Sequence, residues 1–251
     1  MTTHRVDGHT SHSYNSEMCS IVDSVVNMGD LVIAQVRDAL DAFMTGNTDL
    51  AKQVIENDHN INLLELAIDQ RCIDILVKRQ PAARDLRAVF SIMKAIMDLE
   101  RIGDQSKRIA HAVLRLKEHH PGDKDYFDGI ELQQDAFEKI NANVINMLQK
   151  SMIAFHDLNA HDALEAAMLD KQIDNSYGDI LRQNDKDMLV QGTNYQTILE
   201  ITWIGRAVER IGDHARNVCE YTIYFVTGLD VRHQNDKAIA ELLASQKSQS
   251  S

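Results

Sequence analysis

The sequence predicts an all-α protein made of two tandem antiparallel three-helix bundles, and three features carry that expectation. The 251 residues include only 11 glycines and 2 prolines, with 5% aromatic residues. So few breakers argue against many short strands and tight turns. Apolar residues recur at helical spacing over stretches of about thirty residues. The chain also repeats itself. Glu100-Arg101-Ile102-Gly103-Asp104 returns as Glu209-Arg210-Ile211-Gly212-Asp213, and Asp58-His59-Asn60-Ile61-Asn62 is paralleled by Asp170-Lys171-Gln172-Ile173-Asp174. The offsets are 109 and 112 residues, and two ordered matches at nearly one spacing indicate a tandem duplication.

The first helix is expected from about Ser16 to Met44, stopping at Thr45-Gly46-Asn47. Thr48 or Asp49 can cap a second, which runs to about Arg79 before Pro81. A third follows Pro81 and fades near Lys117, where His119-His120-Pro121-Gly122-Asp123-Lys124 reads as a linker. The second half gives helices over about 130–156, 161–190 and, after Gly192-Thr193-Asn194, to about Thr227. Short connections make neighbouring helices antiparallel. The expected organisation is a flexible N-terminal tail (1–15), a first bundle (16–118), a linker (119–128), a second bundle (129–228) and a frayed C-terminal tail (229–251).

Composition narrows the function. A net charge of −12 repels phosphate backbones and anionic lipid, which disfavours nucleic-acid or membrane-surface binding. Cys19, Cys72 and Cys219 form no CxxC pair and read as free thiols in a reducing compartment. No signal peptide or transmembrane span is expected, and the reading is a soluble cytoplasmic protein.

The acidic residues are placed unusually. On the third helix, Leu86, Val89, Phe90, Ile92, Ile96, Met97 and Leu99 share one apolar arc, with Glu100 and Asp104 roughly 20° either side of its centre. On the second, Asp58, Asn62, Glu65 and Asp69 lie inside an arc of Val54, Ile55, Ile61, Leu64, Ile68, Cys72, Ile73 and Leu76. Asp170 and Asp174 take the corresponding places in the second half, next to Glu209 and Asp213. A carboxylate so placed must be paired, protonated or bound to a cation. Facing i, i+4 pairs suit oxygen-seeking divalent cations. The alternative is inter-helix ion pairing with Arg101, Arg210 or other basic residues. Asn62 lacks a charge, so the first cluster should bind a cation more weakly. Glu56 and His59 have a di-iron ligand spacing but fall toward the polar side of their helix. No nucleotide-binding loop or hydrolase elbow occurs.

Val77-Lys78-Arg79-Gln80-Pro81 followed by Asp85-Leu86-Arg87, both ERIGD segments, and Asn217-Val218-Cys219-Glu220-Tyr221 together resemble the PhoU family of phosphate-uptake regulators. The resemblance spans about residues 16–233. It implies two three-helix bundles related by pseudo-twofold symmetry, a homodimer, and a cytoplasmic, non-enzymatic negative regulator of the phosphate-starvation response and of phosphate uptake. The implied partners are the phosphate-sensing histidine kinase and the ATPase subunit of the phosphate ABC transporter. It also implies metal, such as iron, zinc, manganese or magnesium, at Glu100/Asp104 with Asp58/Asn62 and at Glu209/Asp213 with Asp170/Asp174. Arg84-Asp85-Leu86-Arg87 is a candidate docking segment. The alternative function is a carboxylate-bridged metalloenzyme or a metal-storage bundle. An enzyme would need an acid/base group beside the metal, and His111, expected on the inner arc, lies about two turns from Asp104.

Overall fold

A computed structural model describes residues 12–119, 131–189 and 194–249. Eight helices account for nearly all of them, and no strand occurs among the described residues. The first bundle contains α1 (His12–Thr45), α2 (Thr48–Arg79) and α3 (Ala83–His119). The second contains α4 (Glu131–Asp157), α5 (Ala160–Ala167) with α6 (Asp170–Asp187), and α7 (Tyr195–Thr227). A final helix, α8 (Asp236–Gln249), packs on α5.

Local chemistry explains the boundaries. Asn47 caps α2 by accepting the amides of Asp49 and Leu50 at 3.1 Å. Gln80 ends the helix in the left-handed region (φ 46°), and Pro81 cannot continue it. Asn159 and Asn194 cap α5 and α7 in the same way as Asn47. Gly228, at φ 77°, closes α7.

The most extensive helix pairing joins the bundles, α3 against α7, and α1 also meets α4. One apolar core therefore runs through both bundles, with Val25, Phe43, Ile92, Ile102, Phe137, Phe155, Ile201 and Ile211 buried in it. A second, smaller core gathers Ala163, Ala167, Cys219, Ile223, Val231, Ile239 and Leu243 beneath α8. Cys19, Cys72 and Cys219 are free thiols.

Several expectations change. The expected helix over 161–190 is broken at Met168–Leu169, where i→i+3 bonds replace the α-helical pattern and α6 restarts at Asp170. The expected C-terminal tail contains α8, anchored by Ile239 and Leu243 one turn apart. By length and composition, Tyr14–Thr45 could cross a membrane, with a mean hydropathy of 1.3. Its apolar face is instead packed against α2, α3 and α4. Phe90, Met97 and Ile73, expected inside, are exposed; on α3 the buried face is centred nearer Leu99, Ile102 and Ile109 than the predicted arc, which turns Phe90 and Met97 outward. The expected tail at 1–15 falls largely, and the linker at 119–128 almost wholly, outside the described residues.

Two carboxylate clusters with unequal compensation

Helix phase brings the eight predicted residues into two groups, one between α2 and α3 and one between α6 and α7. They sit at the edge of the core rather than at its centre, since α3 is enclosed by α1, α2 and α7 and its buried face is broad. The glycine of each ERIGD segment sets the approach. A Cβ on Gly103 would stand 3.5 Å from Asp58 Oδ1, and one on Gly212 would stand 3.1 Å from Asp170 Oδ1. The repeated glycine keeps each helix close to an aspartate of its neighbour.

The first cluster is neutralised from within. Asp58 is almost fully buried, and Lys107 Nζ donates to its Oδ2 at 2.8 Å. Gln35 Nε2, reaching across from α1, donates to Asp58 Oδ1 and to the Gly103 carbonyl, both at 3.2 Å. Glu100 is half-buried, and its carboxyl is pushed above the ordinary glutamate range by desolvation, then by the charges of Asp104, Glu65 and Asp58. Asn62 leaves its Oδ1 buried without a partner.

In the second cluster, Asp170 is buried and its Oδ1 has no hydrogen-bond partner. Burial, reinforced by Asp174 and Asp213, pushes its pKa up to about 7. Asp174, expected on the inner arc, is exposed, because it lies on the outer side of α6; its carboxyl and that of Glu209 are shifted upward, both chiefly by desolvation and then by Asp213. Arg206 pairs with Glu209 Oε1, but Glu209 Oε2 is buried and unpartnered. Arg216 stands 109 residues after Lys107 and so holds the equivalent place. Its guanidinium is drawn toward α8 instead, bonding Asp236 at 2.6 Å, Glu220 at 3.3 Å and the Ala167 carbonyl at 3.2 Å. The acid equivalent to Asp58 thus has no bonded cation: the Arg216 charge still favours its ionised form, but burial and the neighbouring carboxylates outweigh it.

Among the described residues, no three His, Cys, Asp or Glu side chains converge as a metal site requires. The second cluster has the donor type a hard cation takes, with two buried, unpartnered oxygens on Asp170 and Glu209, but its side chains do not converge on one point here. The first, with Lys107 already bound to Asp58, fits less well. Arg101 and Arg210 act on Glu100 and Glu209 only through their charge, and among the described residues the ion pairs come from Lys107 and Arg206. His111 is exposed, not on the inner arc, because its place on α3 points away from the neighbouring helices. Glu56 and His59 are exposed, as their phase predicts. At 84–87, Asp85 is buried near Tyr14, whose hydroxyl is shifted upward by burial and by that charge. Arg87 lies against the Gly228 turn. That segment is used within the molecule.

Lys107→Ala would leave Asp58 buried without its cation. The expected loss is about 2 kcal/mol in urea unfolding, largely recovered in Lys107→Met/Asp58→Asn. The sequence reading missed Lys107, Gln35, Arg216 and Asp236. The 109-residue offset linking Lys107 to Arg216 was the available signal for two of them.

The PhoU domain model matches the chain twice, over residues 25–113 and 137–222. A phosphate-specific transport system accessory protein PhoU homolog of Pseudomonas aeruginosa is 40% identical over 225 residues, covering 90% of each chain. The PhoU accessory protein of Escherichia coli K12 is 35% identical over 99% of both chains. The crystal structure of PhoU from Pseudomonas aeruginosa superposes with a TM-score of 0.79 at 38% identity, covering 86% of this chain and all of that one. That of the phosphate transport system regulatory protein PhoU from Streptococcus pneumoniae gives 0.74 at 28%, covering 86% and 98%.

Proposed function

Because this chain belongs to the PhoU family, we propose that it is a cytoplasmic, non-enzymatic negative regulator of phosphate uptake and of the phosphate-starvation response. In this reading it is an adaptor between the ATPase subunit of the phosphate ABC transporter and the phosphate-sensing histidine kinase. The observation that carries the reading is the end-to-end similarity to proteins named as accessory to phosphate-specific transport, across both repeats. The architecture is compatible with it. Long helices joined through one continuous core make a rigid body, which suits a protein that transmits state by surface contact.

The second carboxylate cluster is the part of this adaptor that responds to its surroundings. Asp170, Asp174, Glu209 and Asp213 are held together against their mutual repulsion, which Arg206 and Arg216 offset only in part, and a bound cation would add positive charge. Asp170 and Glu209 would contribute the oxygens that now lack partners. In the first cluster, Lys107 holds that place permanently.

The test is a phosphate-starvation promoter reporter in phosphate-rich cells with and without the gene. Deletion should switch the promoter on, and complementation should silence it again. A promoter that stays silent after deletion overturns the regulatory reading.

A further inference from the structure

A groove of about 600 Å³ runs between α3 and α7, lined by Arg108, Arg115, Arg206 and Arg210 with Trp203 and one carboxylate, Glu200. Glu200 is engaged by Arg115 through two bonds of 2.8 Å, and Arg206 by Glu209. Arg108 and Arg210 make no ion pair among the described residues. This concentration of positive charge lies on a chain whose net charge is −12. Trp203, the only tryptophan, is 66% exposed, and Leu199 and Tyr195 continue its row as exposed side chains at four-residue spacing. Arg108 donates to Gln105 Oε1 at 3.4 Å, so both arginines keep their charge unneutralised, and an exposed apolar row with two aromatics beside such arginines is the composition of a protein-docking hot spot.

The other half of the molecule shows what chemistry such a place accepts. The 109-residue repeat maps Gln105, Arg108 and Ala207 onto His214, Asn217 and Asp98. At that second place, Asp98 lies buried between the helices, bonded to His214 Nδ1 at 2.6 Å and to Asn217 Nδ2 at 3.1 Å. At the groove the donors remain as Gln105 and Arg108, but Ala207 stands where the carboxylate would be. We infer that the α3–α7 groove is a docking surface for an acidic, amphipathic segment of a partner protein. Its carboxylates would meet Arg108 and Arg210, and its apolar face would cover Trp203 and Leu199. The arginines are strung along two helices, about 10 Å from Arg108 to Arg115 on α3 and about 6 Å from Arg206 to Arg210 on α7, which suits a chain segment better than a compact phosphate group. The surface stands or falls independently of the phosphate reading.

Trp203 makes the test direct, since its emission reports on the groove in the full-length chain. The probe is an 18-residue helical peptide with glutamates at i, i+4 beside a leucine and phenylalanine face. It should shift Trp203 emission to the blue, saturate in the micromolar range and weaken with added salt. Arg108→Glu should weaken binding at least tenfold without lowering the thermal midpoint, that position being exposed, and Arg210→Gln should weaken it further. The inference is overturned by no saturable response, by an equal response to the same peptide with lysine for glutamate, or by tighter binding of ATP or polyphosphate. It is also overturned if emission shifts on concentrating the protein alone, since the occupant would then be a second copy.

Discussion

In chelator at pH 8, Asp170→Asn unfolds at a higher urea concentration than the unsubstituted chain, with a gain of roughly 2 to 3 kcal/mol. Removing a buried acid usually destabilises, but here the carboxylate is held among like charges with one oxygen unpartnered. Its pKa is about 7 in the fold against 3.8 for an ordinary aspartate, so between those values the folded state holds the proton more tightly. Stability from this group is therefore present below about pH 4, declines as pH rises, and is gone above about 7. Urea midpoints across pH 4 to 8 should fall more steeply for the unsubstituted chain than for Asp170→Asn. Parallel curves would mean that Asp170 is ionised at little cost. A cation that occupies the cluster should reverse the order of the two proteins at neutral pH, because it stabilises only the chain that can hold it.

Loss of the Asp98–His214 bond should have an effect of similar size and opposite sign. Both groups are nearly inaccessible, and the bond joins α3 to α7 at the interface between bundles. Asp98 Oδ1 also accepts from Asn217, and the Asp98 charge, after burial itself, pushes the Tyr221 hydroxyl upward. His214→Ala strips a buried carboxylate of its main donor, for a loss of about 3 kcal/mol. Asp98→Leu/His214→Phe removes both polar groups and should lose clearly less. A double variant as damaged as the sum of the singles would show that the cost is packing, not the unpaired charge.

Helix existence was legible because glycine and proline are scarce and the apolar period is long. The break at Met168–Leu169 was not, since neither residue is a breaker and both keep right-handed helical dihedrals. Helix α8 was missed because the serines and glutamines near its end outweighed Ile239 and Leu243, whose i, i+4 spacing was the real signal. At the clusters, period alone placed Asp58 and Asp170 in the interior correctly, and both are buried. It could not show which cations reach them. Gln35 arrives from another helix, and Asp236, which draws Arg216 away, comes from a helix that was not expected. The arginine groove was equally hidden, since its two rows lie about a hundred residues apart in sequence and meet only when the repeats dock.

The most direct test of the central claim is promoter repression in phosphate-rich cells by chains altered in one cluster at a time. A chain carrying Asp170→Asn and Glu209→Gln should fold and accumulate normally yet leave the starvation promoter active, while Asn62→Ala should still repress. Full repression by the Asp170→Asn/Glu209→Gln chain would contradict the account, and would mean that those buried acids serve the fold alone.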